Sequence, residues 1–234
     1  MKKIYALWQF GRGSRTVPGV SLRKRSILCD LVIAGASLFY FGQGYAVAQD
    51  INSGLAGYWS CSDINDNTLA DYSGNGHNGS FTGHPIWTVG KLTGALRFDG
   101  QTEYVTANNV LNTSQSFTAA AWVQLENELT YSTAFSQDGV NVSGFYLQYL
   151  SPTDSGLGSV AGKFAFALLN SDSTGAAPTR AVCPFAPVIN TWYHLAGVYD
   201  SANSVIKFYV NGSLVATQST TIGRCSRSIF NSMV

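Results

Sequence analysis

The stretch VIKFYVNGSLVATQST, Val205 to Thr220, constrains the fold of this 234-residue chain more than any other. In it Ile206, Phe208 and Val210 alternate with Lys207 and Tyr209, which gives one apolar face and one polar face, as a half-buried antiparallel strand requires. Asn211-Gly212 follows at once, and this pair suits a type I′ turn because both central residues take positive φ. The stretch is therefore predicted to be a β-hairpin. The same grammar recurs along the chain. Short runs rich in aromatic and β-branched residues stand between clusters of Gly, Asn, Ser and Thr, and no window between residues 50 and 220 carries a capped apolar repeat near 3.6.

Strands are expected around AGYWSCS, GHNGSFTG, GALRFDG, EYVTAN, SFTAAAWVQL, STAFSQ, GFYLQYL, GKFAFALL and YHLAGVYD, besides the two arms of the hairpin. Roughly eleven strands joined by short polar turns fit two packed layers better than a barrel around one cavity. The predicted fold class is all-β, a two-sheet antiparallel β-sandwich of jelly-roll type.

The N-terminus reads differently. Seven of the 14 Lys and Arg residues precede residue 26, an apolar run with one interruption at Asp30 follows, and Ala46-Val47-Ala48 has the small-x-small form of a processing site. Residues 1–48 are expected to be a secretory signal cleaved before Gln49. The apolar run is too short for a stable membrane span, so none is expected after cleavage. Residues 49–222 are read as one domain and 223–234 as a divergent or truncated tail. From residue 49 onward seven basic groups face twelve acidic ones, a net charge of −5. Without a Lys/Arg cluster such a chain lacks the electrostatic footprint of a nucleic-acid binder. The expected location is secreted, periplasmic or cell surface.

Three cysteines remain beyond the signal, Cys61, Cys183 and Cys225, and Cys183 with Cys225 is the expected disulfide in an oxidising compartment. Gly74-Asn75-Gly76-His77-Asn78-Gly79 matches G-x-G-x-x-G, but a dinucleotide loop must leave a buried parallel strand and open a helix. SFTGHPIW, which follows, is strand and turn with a proline. The motif is expected to be a turn.

GLAGYWSCSD, LADYSGNGHNGSFTG, GKLTGALRFDGQTEYVTA, SFTAAAWVQL, TWYHLAGVYD and IKFYVNGSLVA follow one another in the order and spacing of laminin-G-like jelly-roll domains of the concanavalin A-like lectin/glucanase fold, which the chain resembles from about Gly54 to Thr217. The resemblance implies that Cys61 fills a position commonly held by Phe, as a buried thiol. It also implies a further closing strand of the form Gly-x-Ile-Asp-x-Val-x-Ile-Tyr, pairing back near the first strand. The chain instead continues through TTIGRCSRSIFNSMV, so it is read as C-terminally truncated, with an unpaired sheet edge.

For function, the resemblance implies recognition of carbohydrate or of an extracellular or cell-surface protein, with a structural or adhesion role as the alternative. Tyr131, Tyr146, Tyr149 and Tyr209 are the candidates for stacking on sugar rings. The resemblance also places Asp71, Asn75 and Asp99 nearest to a calcium role, in a region where DINDNTLADYSGNG supplies Asp63, Asn65 and Asn67 as further oxygen donors; Asx-type turns that merely shape the loop are the other reading. Sandwich glucanases of this fold pair two carboxyls on one strand, and here Glu126 and Glu128 are the one close pair, at a strand end. His77, His84 and His194 lack a nucleophile motif, and His194 reads as a packed strand residue. No catalytic residue is assigned, and the chain is expected not to be an enzyme.

Overall fold

The computed structural model describes residues 4–12, 54–62, 68–108 and 110–221. Among them the chain forms fifteen strands: β1 (Ile4–Arg12), β2 (Leu55–Trp59), β3 (Thr68–Leu69), β4 (Gly79–Thr82), β5 (Ile86–Val89), β6 (Gly94–Arg97), β7 (Tyr104–Thr106), β8 (Phe117–Leu125), β9 (Ser132–Asp138), β10 (Ser143–Tyr149), β11 (Phe164–Leu169), β12 (Pro178–Val182), β13 (Trp192–Asp200), β14 (Val205–Val210) and β15 (Ser213–Ser219). A short 3-10 turn, Ser155–Val160, lies between β10 and β11. All pairings are antiparallel.

One long sheet runs in the order β15-β14-β13-β8-β1-β6-β5, with β2 also paired to β1. A four-stranded sheet, β12-β11-β10-β9, and a three-stranded sheet, β3-β4-β7, complete the sandwich. Alternation fixes which residues meet between the layers. Along β8, Phe117, Ala119, Ala121, Val123 and Leu125 are buried, while Thr118, Ala120, Trp122 and Gln124 are half-exposed. Opposite them Phe145, Phe164 and Phe166 turn inward, and Phe117 packs on Phe145 and Phe166 at ring separations of 4.9 and 6.1 Å. Each buried Phe contributes about 1.5–3 kcal/mol through the water it leaves.

The hairpin β14–β15 forms as its sequence dictates. Ile206, Phe208 and Val210 are buried, Lys207 and Tyr209 are half-exposed, and Asn211 and Gly212 sit at φ 51° and 81°. Trp59 and Cys61 are both buried, as the Phe-position reading of Cys61 implies.

Four strands have no counterpart among the expected ones. β3 and β5 are short, and β12 begins with a proline, which its position at a sheet edge tolerates. The fourth, β1, comes from the stretch read as a secretory signal, and it lies between β8 and the β2/β6 strands, where the sheet was expected to be left unpaired. Processing at Ala46-Val47-Ala48, the loop residues Asp63, Asn65 and Asn67, and the tail 223–234 lie outside the described residues. No helix among the described residues is long and apolar enough to cross a membrane.

Candidate functional site

The glycine-rich loop between β3 and β4 is organised by one carboxylate. Oδ1 of Asp71 accepts the backbone N–H of Tyr58 at 2.9 Å and of Ser73 at 2.8 Å, while Oδ2 accepts the Ser73 hydroxyl and the His77 N–H, both at 2.8 Å. Burial works to raise its pKa, yet these donors overcome it and hold the carboxyl below its ordinary value. The Asn75 amide donates to the carbonyls of Leu55 and Ala56 at 2.9 and 3.1 Å, which ties the loop to β2. Gly74 and Gly76, at φ 84° and 77°, supply the left-handed backbone that this wrapping needs.

Removing Asp71 strands several backbone donors, so Asp71→Ala is expected to destabilise the fold by about 2 kcal/mol. Because the folded carboxyl titrates below the unfolded one, its contribution is full above pH about 3.9 and fades as pH falls through the folded value. Asp71→Asn is therefore expected to flatten that acid limb. Urea midpoints at pH 7 and pH 3 read both effects.

Asp99 heads a separate turn. Oδ1 accepts the N–H groups of Gln101, Thr102 and Glu103, and Oδ2 accepts the Thr102 hydroxyl at 2.7 Å. The Gln101 N–H leads these donors in holding its pKa well down. The calcium expectation also involves Asp63, Asn65 and Asn67, which lie outside the described residues. The Asp71 and Asp99 oxygens are taken up by protein donors, Asn75 presents its amide N–H₂ rather than its oxygen, and no cluster of three or more His, Cys, Asp or Glu suited to a metal occurs among the described residues. Calcium or chelator is expected to move the melting temperature by less than about 1 °C, within the scatter of a small ΔΔG. Thermal melts with each additive check this.

Of the expected Cys183–Cys225 pair, Cys225 lies outside the described residues; Cys183 is a free thiol among the described residues, packed into the core, and burial pushes its pKa up. Glu126 is engaged by the Arg97 guanidinium, Nε at 2.9 Å from Oε1 and Nη2 at 3.1 Å from Oε2, so it serves as one half of a bidentate ion pair. His194 points away from the sandwich interior. It stacks obliquely on Trp122, centroid to centroid 5.3 Å, and burial against the neighbouring side chains pushes its pKa down.

The four candidate tyrosines do not share a face. Tyr149 has the same strand parity as Phe145 and Leu147, so it turns inward, is 1% exposed and packs on Phe164. It therefore belongs to the core rather than to a sugar-stacking surface. Burial raises its phenol to about 12. Tyr209 lies on the outer face of the long sheet, opposite Ala196, the face that also carries Trp122 and His194, with Lys91 over the Trp122 ring at 5.8 Å.

Tyr146 and Tyr131 belong together, on the outer face of the four-stranded sheet. Register aligns Ser136, Tyr146, Ala167 and Arg180 across all four strands, and Thr133, Gln148, Ala165 and Val182 in the next row. Ala165, Ala167 and Ser136 are small and sheltered below the level of the larger side chains. Tyr146 and Arg180 thus stand two strand spacings apart, about 10 Å, with one methyl between them. Nearby, the Tyr131 hydroxyl donates to Asp154 Oδ2 at 2.6 Å, and Asp154 Oδ1 caps the 3-10 turn by accepting Gly156 N–H at 2.9 Å. Those two donors, Tyr131 first, hold the Asp154 carboxyl below its usual value, with a smaller contribution from the Arg180 charge. Arg180 Nε is buried and has no hydrogen-bond partner among the described residues. Arg180 stands on β12, which is not among the strands expected from the sequence.

A search of curated proteins gives no significant match. Among solved structures, domain 4 of AbnA, a GH43 extracellular arabinanase from Geobacillus stearothermophilus, in complex with arabinotriose, superimposes with a TM-score of 0.55 at 18% identity, over 72% of this chain and 78% of that one. The binding domain of Botulinum neurotoxin DC superimposes in complex with rat synaptotagmin II (TM-score 0.52, 17% identity, 76% of this chain and 43% of that one) and in complex with SialylT (0.50, 16%, 74% and 44%). At these identities the likeness is one of fold. The Laminin_G_3 family model, described as concanavalin A-like lectin/glucanases superfamily, matches residues 99–230, more than half of the sequence. With its antiparallel sandwich, the chain belongs to the concanavalin A-like lectin/glucanases superfamily.

Proposed function

We propose that this chain is a non-catalytic, exported carbohydrate-recognition module whose binding face is the outer surface of β9 to β12. One observation carries the reading: the buried, unpartnered Nε–H of Arg180 stands on the same register row as the half-exposed ring of Tyr146. A buried donor without an acceptor costs on the order of 1–3 kcal/mol, more for a charged group, and such groups are completed by ordered water or by a ligand. A sugar ring supplies what the face lacks. Its axial C–H face stacks on Tyr146, a hydroxyl or carboxylate oxygen accepts from Arg180, and Asp154, held by Tyr131, offers a further polar contact.

The fold neighbours agree with this class of ligand, since two of them are complexes with arabinotriose and with SialylT. The reading gives no role to Glu126 as a catalytic acid, because Arg97 holds it as an ion pair. A glycan array followed by calorimetric titration tests the proposal, with saturable binding expected at a Kd of about 0.1–1 mM, as for a small contact area. Absence of any bound glycan at millimolar concentration would sink it.

A further inference from the structure

Among the described residues β1 is the strand of the long sheet that pairs with three others. Along one side it pairs with β8 through nine consecutive residues, from Ile4 opposite Leu125 to Arg12 opposite Phe117. Along its other side Tyr5 and Ala6 face Arg97 and Leu96 of β6, while Trp8, Gln9 and Gly11 face Trp59, Tyr58 and Leu55 of β2. In the order of the sheet, β15, β14, β13 and β8 lie on one side of β1, and β6 and β5 lie on the other with β2. Without β1 the two groups would stand two strand spacings apart, about 10 Å, with both flanking edges unpaired and nothing between them.

The occupant of this slot comes from the segment with the composition of an export leader. IYALWQFGR has no proline and carries three aromatic residues and one β-branched residue, which suits a central strand.

We propose that the gap between β8 and the β2/β6 strands is a strand-accepting site, and that the chain fills it with its own Ile4–Arg12 as an intramolecular donor strand. Recognition follows the chemistry of β-augmentation, in which main-chain hydrogen bonds on both edges supply affinity and register. Export and folding then compete for one segment. While Ile4–Arg12 is in the sheet it is withheld from export machinery, and cleavage after residue 48 converts a closed sandwich into an open acceptor for an extended strand of the same kind.

Cross-strand trapping in the full chain tests this. Residues directly opposite in an antiparallel pair lie within reach of a disulfide. Gln9→Cys with Ala120→Cys, in register, is expected to form an intramolecular bond under mild oxidation, identified by mass of the linked peptides. Gln9→Cys with Gln124→Cys, four residues out of register, is expected to form none. A second measurement does not depend on these variants folding. A protease site is introduced between residues 13 and 48 of the full chain, and once that site is cut the N-terminal fragment is expected to co-elute with the remainder until denaturant is added. Failure of the in-register pair to link in a folded chain, equal linking of both pairs, linking only between molecules, or release of the fragment under native conditions would each overturn the proposal.

Discussion

Arg180→Met is expected to weaken glycan binding at least tenfold while leaving stability unchanged or slightly raised. The two effects separate because the Nε–H of Arg180 is buried without an acceptor among the described residues. Truncating a paired buried arginine strands its partner and costs several kcal/mol. Here methionine keeps the apolar stem in place and removes an unsatisfied donor, so the fold loses little. Binding loses a charge-assisted hydrogen bond, of about 1.5–3 kcal/mol, which corresponds to roughly ten- to hundredfold in Kd. Tyr146→Ala, on the same row, is expected to lower affinity similarly through loss of the stacking ring. Calorimetric titration and urea unfolding of the same preparations check both halves. A loss of stability of 2 kcal/mol or more in Arg180→Met, with binding intact, would show that the arginine is structural.

The largest stability effect is expected from Gly197→Ala. Gly197 lies on β13 with Phe166 directly over its Cα, and a methyl there would overlap the ring, meeting Cε2 at 2.6 Å along with still closer ring atoms. The ring has little room to give way, because Phe166 is fully buried and is held between Phe117 and Phe145. Overpacking a tight core costs about 1–3 kcal/mol, and here the upper end applies because the obstacle is a fixed ring rather than a flexible chain end. A melting temperature lower by about 6–12 °C follows for a domain of this size. Differential scanning calorimetry reads it directly.

The elements visible in the sequence were those whose alternation is uninterrupted. β8, β13 and β14 each present an apolar residue at every second position, and Asn211-Gly212 is a turn whose geometry follows from residue type alone. β12 was hidden because Pro178 opens it and Arg180 interrupts its apolar character; only the strand's place at a sheet edge explains why both are tolerated. The binding face was legible only in part. Tyr146 was identifiable as an aromatic candidate, but its alignment with Arg180 depends on the pairing of β10, β11 and β12, which sequence spacing does not specify. Tyr149 was misassigned because the parity of a strand tells which residues share a face without telling which face is inside. Asp71 and Asn75 were recognised as important for the glycine-rich loop, yet their side chains bond to the backbone of a distant strand, a contact invisible in local sequence.

The most direct measurement of the central claim is mapping of amide chemical-shift changes as a glycan from the array is titrated into the protein. The largest changes are expected at Tyr146, Gln148, Ala165, Ala167 and Arg180, on the outer face of β10 to β12. Changes centred instead on Trp122, His194 and Tyr209, on the opposite sheet, would contradict the account.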